Sequence, residues 1–168
     1  MSGPRFCQRF NIIEGFPCVD LQTAANNGDW VSFKQYNHIA IVFVSGVGTA
    51  GDDPTLTVVQ ATSAAGAGGK ALNFTDIMIK QAATSLAGTG SFTHTTQAAA
   101  NTYTSATAAE QSLIWVVEFD ASDLDSDNGF IFLRATVADV GGNAQPGYLF
   151  YVGCEPHNAE DLLDSALV

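Results

Sequence analysis

His38-Ile39-Ala40-Ile41-Val42-Phe43-Val44-Ser45, then Gly46-Val47-Gly48-Thr49-Ala50-Gly51-Asp52-Asp53-Pro54, then Thr55-Leu56-Thr57-Val58-Val59-Gln60-Ala61-Thr62: this stretch decides the fold class. Both flanks are dense in β-branched and aromatic residues, which suit a pleated backbone. Thr55-Leu56-Thr57-Val58 alternates polar and apolar, the period of a strand with one buried face. His38–Val44 is nearly all apolar, the pattern of a central strand covered on both faces. The glycines, aspartates and proline between the two runs break any regular element.

The same signature recurs outward in both directions. Strand-like runs fall at Gln8–Glu14, Trp30–Phe33, Lys70–Lys80, Gly90–Thr96, Ser112–Asp120, Gly129–Ala138 and Gly147–Gly153. Breakers such as Asn26-Asn27-Gly28-Asp29, Gly66-Ala67-Gly68-Gly69 and Gly141-Gly142-Asn143 separate them. About nine strands at this spacing predict an all-β sandwich or barrel. Leu113–Val117 reads as a second doubly covered strand. Thr95–Glu110, rich in Ala and Thr, reads as mostly loop, with Gln97–Ala100 a candidate helical turn. Ala159–Val168 places Leu162, Leu163 and Leu167 at helix-compatible spacing, either a short helix or a frayed tail. With 168 residues, no internal repeat and no linker, residues 1–168 are expected to form a single β domain, with 1–10 a candidate extended N-terminal arm.

Charged residues make up 14% of the chain, against about 25% in typical soluble domains. Such a bland surface suits either packing against copies or partners, or simple coverage by small polar residues. The net charge of −11 is unevenly spread. Residues 1–109 hold five bases and six acids, whereas residues 110–168 hold Arg134 against eleven acids. Phosphate recognition needs clustered bases. Six scattered ones argue against nucleic acid and equally against anionic membranes. Cys7, Cys18 and Cys154 are too few and odd in number for a disulfide framework and read as free thiols, although a Cys7–Cys18 pair stays open. No signal-length or membrane-length apolar run occurs, so the product is expected to be made and kept in the cytosol.

The candidate motifs are weak. Gly46 to Gly51 matches the dinucleotide fingerprint by letter, but acids and a strand pattern follow where a helix start is required. Ala64–Ala71 lacks the first glycine and the hydroxyl of a phosphate loop. Asp123, Asp125 and Asp127 alternate in one loop, which admits two readings. One is a hairpin turn with Asn128-Gly129 supplying positive φ. The other is a metal site outside the EF-hand pattern, since Asn128 and Arg134 stand where that pattern wants Gly and Glu. No metal and no cofactor is expected. His38, His94 and His157 are isolated, and His38 reads as an edge or core residue. No nucleophile elbow supports a triad, and no enzyme activity is expected. The aromatics, Phe43, Trp115 and Phe150 among them, read as core, with Trp30, Tyr36 or Tyr148 as alternative interface anchors.

Taken together, Gln8 to Gly15, Gly28 to Phe33, Ala50 to Thr57, Gln60 to Thr62, Lys70 to Phe74, Asp123 to Asp125 before Gly129-Phe130, and Arg134 to Asp139 resemble a family of small structural proteins of tailed bacteriophages. The resemblance implies a virion component of the head decoration (cement) type. It implies a jelly-roll-like β-sandwich that trimerises on the capsid surface, partnered by the major capsid protein, and no catalytic residues. Other virion roles (tail tube, neck, head fibre) and a carbohydrate- or receptor-binding sandwich are the alternatives. Within the arm, Phe6 and Phe10 offer apolar anchors and Arg5 and Arg9 offer charge-assisted bonds, so these four are the candidate interface with a capsid or sister subunit. The competing reading makes Gln8–Glu14 simply the domain's own first strand.

Overall fold

Twelve strands form in the computed structural model, which describes residues 6–138 and 140–156. They are β1 (Phe10–Asp20), β2 (Asn26–Asn27), β3 (Val31–Ser32), β4 (Tyr36–Ser45), β5 (Thr55–Ala61), β6 (Lys70–Ala71), β7 (Phe74–Ala82), β8 (Thr93–Ala100), β9 (Thr102–Thr104), β10 (Ser112–Asp120), β11 (Phe132–Val137) and β12 (Pro146–Pro156). Arg5, His157 and the tail 159–168 lie outside the described residues.

The two halves of the chain pair in nested order. β1 pairs with β12, β2 and β3 with β11, β4 with β10, and β5 with β6 and β9, all antiparallel. This is one long hairpin rolled up on itself. Rolling brings β12 beside β4 and β11 beside β5. The result is sheet A, ordered β1-β12-β4-β10-β7-β8, and sheet B, ordered β2-β11-β5-β6. Without the β7–β8 extension, that order is the jelly-roll sandwich.

Strand alternation fills the space between the sheets. Leu149, Phe43, Trp115 and Ile79 stand opposite one another across sheet A. The Phe43 and Trp115 rings are 5.6 Å apart. Leu56 and Val58 of β5 and Leu133, Ala135 and Val137 of β11 face them, all fully buried.

One polar side chain crosses this core. Tyr151 of β12 is fully buried, and its hydroxyl donates to the Asp29 carbonyl at 2.9 Å while accepting from the Ala135 amide at 3.1 Å. Burial pushes the phenol far above its ordinary range, so it stays neutral. A side chain on Gly28 would place its Cβ 2.6 Å from that hydroxyl, so only glycine leaves room.

Three local expectations are corrected. Thr95–Glu110 is not mostly loop, and Gln97–Ala100 is strand rather than helical turn: β8 pairs with β7 and β9 with β5. β8 is an edge strand of Thr, His, Gln and Ala, so it lacks the apolar alternation that marks a half-buried strand. The Gln97 amide holds its turn into β9 by donating to the Phe74 and Thr102 carbonyls. Lys70–Lys80 is two strands, β6 in sheet B and β7 in sheet A, because Leu72-Asn73 carries the chain between sheets. The Asp123–Gly129 loop is likewise no hairpin. It crosses from β10 in sheet A to β11 in sheet B through two 3-10 turns, with Gly129 at φ +81°.

Replacing Tyr151 by Phe leaves the Ala135 amide without its buried acceptor. We expect urea unfolding to show a loss of about 1–3 kcal/mol with an unchanged far-ultraviolet dichroism spectrum. Unaltered stability would show that the hydroxyl contributes nothing to joining the sheets.

Candidate assembly surface

The residues of sheet A that alternate with its core face point outward, and they too are apolar. Phe150, Val42, Val116 and Met78 form one row across β12, β4, β10 and β7. Tyr148, Val44 and Ile114 form the next row, which ends at Lys80 of β7. Ile12, Val152 and Ala40 lie on the other side. Ala40 is buried among its neighbours, Ile12 is 55% exposed, and the rest are half-buried. His38–Val44 and Leu113–Val117 are therefore not covered on both faces as their composition predicts. One face is core and the other looks outward. Apolarity in a sequence records what a face prefers, not what lies on it.

Carboxylates rim this surface. Glu118 and Asp120 follow Val116 on the outward side of β10, Asp76 precedes Met78 on β7, and Glu14 lies opposite Phe150. His38 Nδ1 is 2.9 Å from Asp120 Oδ1, and its Nε2 is 3.7 Å from Glu118. His38 is thus neither an edge nor a core residue: it sits on the outward face of a central strand, held by acids. His94 Nε2 lies 2.7 Å from Asp76 Oδ1. Hydrogen bonds from Thr75 and then His94 hold the Asp76 carboxyl below its usual range.

At one edge of the surface stands the start of the chain. Phe6–Gln8 forms a 3-10 turn, and Phe6 is 54% exposed. Its ring lies 5.0 Å from that of Phe10, and the Arg9 guanidinium is 5.8 Å from the Phe10 ring centre. Phe10 opens β1 opposite Cys154, so it belongs to this domain's own edge strand. Phe6, Arg9 and Phe10 are thereby gathered into one cluster beside Ile12, while Arg5 lies outside the described residues. None of Cys7, Cys18 and Cys154 is in a disulfide. Of the three alternative aromatic anchors, Tyr36 is fully buried in the core, and Tyr148 lies on the outward face with its ring 5.6 Å from that of Phe150. Trp30 lies under Arg134 at 4.7 Å. Phe150, read as core, is on the outward face.

Every Lys and Arg among the described residues lies over an aromatic ring. Lys34 is over Phe132, Lys70 over Phe130 and Lys80 over Phe92, in addition to the Arg9 and Arg134 pairs. Such contacts stabilise by about 0.5–1 kcal/mol at exposed sites. They leave the few cations tied to the domain itself.

The acidic loop resolves into local bonds. Asp123 accepts from the Asp120 amide at 2.8 Å. Asp125 is ion-paired with Lys70 and accepts from the Asn128 amide at 2.8 Å, and these partners lower its pKa, Lys70 first. Among the described residues no group of three His, Cys, Asp or Glu side chains is arranged to hold a metal ion. The Gly46–Gly51 loop leads into β5 rather than a helix. The Gly46 and Gly48 amides are already bonded to the Pro146 and Ala109 carbonyls.

No protein-family description matches the chain, and no curated protein matches it. Among solved structures, the fold is similar to the crystal structure of the SPBc2 prophage-derived protein YomS, at 10% sequence identity and a TM-score of 0.45, covering 84% of this chain and 92% of that one.

The Lys70–Asp125 pair has a directional pH consequence. A carboxylate whose folded pKa is depressed adds stability above its unfolded pKa, and that stability is lost as pH falls through the folded value. Wild type should therefore lose stability in urea as pH drops below about 4, the ordinary carboxylate value. Lys70→Met should show a shallower acid-side decline. Parallel pH profiles would show that the pair contributes nothing.

Proposed function

We propose that this chain is a non-enzymatic structural protein of a tailed-bacteriophage virion. In this reading it is a capsid decoration protein that assembles with copies of itself, as a homotrimer, and with the major capsid protein on the outer head surface. The observation that carries the reading is the outward face of sheet A. A jelly roll needs only its inner face apolar to fold. Here the outer face presents an in-register apolar surface across four strands, and contiguous exposed apolar area of that kind marks sites of protein contact. The low fraction of charged residues, 14%, favours the same role, since it leaves broad stretches of surface uncharged. The resemblance in sequence to phage structural proteins supplies the setting: the protein is assembled in the host cytoplasm and located on the virion. An outward-facing shell protein needs no basic surface for DNA.

The test uses purified particles. The chain should be present at near-capsid abundance on a denaturing gel, and purified protein should bind shells that lack it. Val116→Asp, at the centre of the outward face, should fold with wild-type dichroism yet bind shells at least roughly tenfold more weakly, as the loss of a central apolar contact does. Absence of the chain from virions would overturn the proposal. Undiminished shell binding by Val116→Asp would move the contact off this face.

A further inference from the structure

A cleft opens where sheet A extends beyond its jelly-roll core. β7 and β8 are the strands added to that core, and the inward side of β8 is unusual. Thr93 and Thr95 lie opposite Ile79 and Ile77, so they share the face on which Ile77 is fully buried. Inward positions of a sandwich strand are normally apolar, yet here they carry hydroxyls. Tyr103 of β9 and residues of the segment 105–111 form the facing wall of an open cleft of about 390 Å³. That volume falls within the roughly 300–1,000 Å³ of small-ligand sites.

The floor is oriented from inside the core. Trp115 is fully buried, and its indole N–H donates to Gln81 Oε1 at 3.3 Å. That bond fixes which way the Gln81 amide lies, so its Nε2 donates to Gln111 Oε1 at 3.3 Å. Gln111, itself a lining residue, thus brings an amide with one of its two oxygen acceptor sites taken by Gln81. The Tyr103 ring is held edge-on to Trp115 at 4.8 Å. One core tryptophan thus presets both an amide and an aromatic wall.

The lining selects the chemistry of the ligand. Of eleven lining residues, seven carry a hydroxyl, two are glutamines, none is a carboxylate, and Lys80 is the single cation. A metal ion would find no anionic ligands. Phosphate would find one lysine, already held over Phe92. An apolar molecule would leave the hydroxyls without water or partners. A polyhydroxylated ring satisfies donors and acceptors together and offers its C–H face to an aromatic ring. We propose that this cleft binds a neutral saccharide. The inference is independent of the assembly reading, because the cleft includes none of the apolar side chains of the outward rows and meets them only at Lys80.

The test is amide-resolved NMR of the intact protein titrated with glucose, galactose, N-acetylglucosamine and maltose, with glucuronate and glucose 6-phosphate as charged counterparts. At least one neutral sugar should give saturable shifts at Thr93, Thr95, Tyr103 and the Gln111 side-chain amide. Each charged counterpart, being an anion, should bind at least roughly fivefold more weakly, because Lys80 is held over Phe92 and the chain carries a net charge of −11. Thr93→Val/Thr95→Val keeps strand propensity and should weaken binding by roughly tenfold through loss of two hydroxyl partners. Gln111→Leu provides a second variant outside the strands. A pull-down on the corresponding polysaccharide distinguishes a surface glycan, which would retain the protein, from a free sugar, which alone would give shifts. Absence of saturable shifts with all four neutral sugars, or shifts unchanged in both variants, would overturn the proposal.

Discussion

The hydroxyl of Tyr151 ties sheet A to sheet B and so helps fix which face of sheet A points inward. Around Val42, Val44, Ile114 and Val116 hydrophobicity discriminates weakly, because both faces are apolar there, and Glu118 and Asp120 on the outward side of β10 add to the choice, since a slip of one residue would turn them inward. Tyr151 must reach the Asp29 carbonyl and the Ala135 amide across the core. That requirement turns Leu149, Tyr151 and Gly153 inward together. Gly153 supports the choice, since a Cβ there would fall 2.8 Å from the Tyr36 ring. Register then carries the decision from β12 to β4 and on to β10. It places Phe43 and Trp115 in the core and leaves Val42 and Val116 outside.

This double apolarity also explains how much could be read from the chain. Ser112–Asp120 is legible to the residue as β10, because β-branched and aromatic residues fill it between clear breakers. The all-β class follows from the recurrence of such runs. What failed to show were strands made by pairing rather than by pattern. The run Gly90–Thr96 marks only the first half of β8; its second half, Gln97–Ala100, and β9, Thr102–Thr104, lack an alternating apolar pattern, and β2 is two asparagines inside a run that reads as a turn. Their strand state is imposed by neighbours. The outward surface was hidden for the opposite reason. The continuous apolar runs that signal burial are identical whether the second cover is part of the same chain or of another. The unbroken character of His38–Val44 and Leu113–Val117 was the available signal. Of the arm residues, the apolar pair Phe6 and Phe10 proves adjacent to the surface, which spacing could not foretell.

Charge is arranged around this surface in a consistent way. Among the described residues, the acids of the C-terminal half gather on β10 and its crossover, where Glu118, Asp120, Asp123, Asp125 and Asp127 follow one another. Two histidines rest against the rim carboxylates, and five cations rest on rings. The domain thus meets a neighbour with an uncharged centre and an acidic border. A neutral centre excludes water on contact, while like-charged borders disfavour pairing of two identical faces. An arrangement of this kind fits docking onto a different surface better than face-to-face pairing of two copies of this one.

The most direct measurement is a cryo-electron-microscopy reconstruction of the particle that carries this chain, at a resolution that places strands. The account predicts another protein surface in contact with the rows of Phe150, Val42, Val116 and Tyr148, Val44, Ile114. Solvent over those rows in every copy would contradict it.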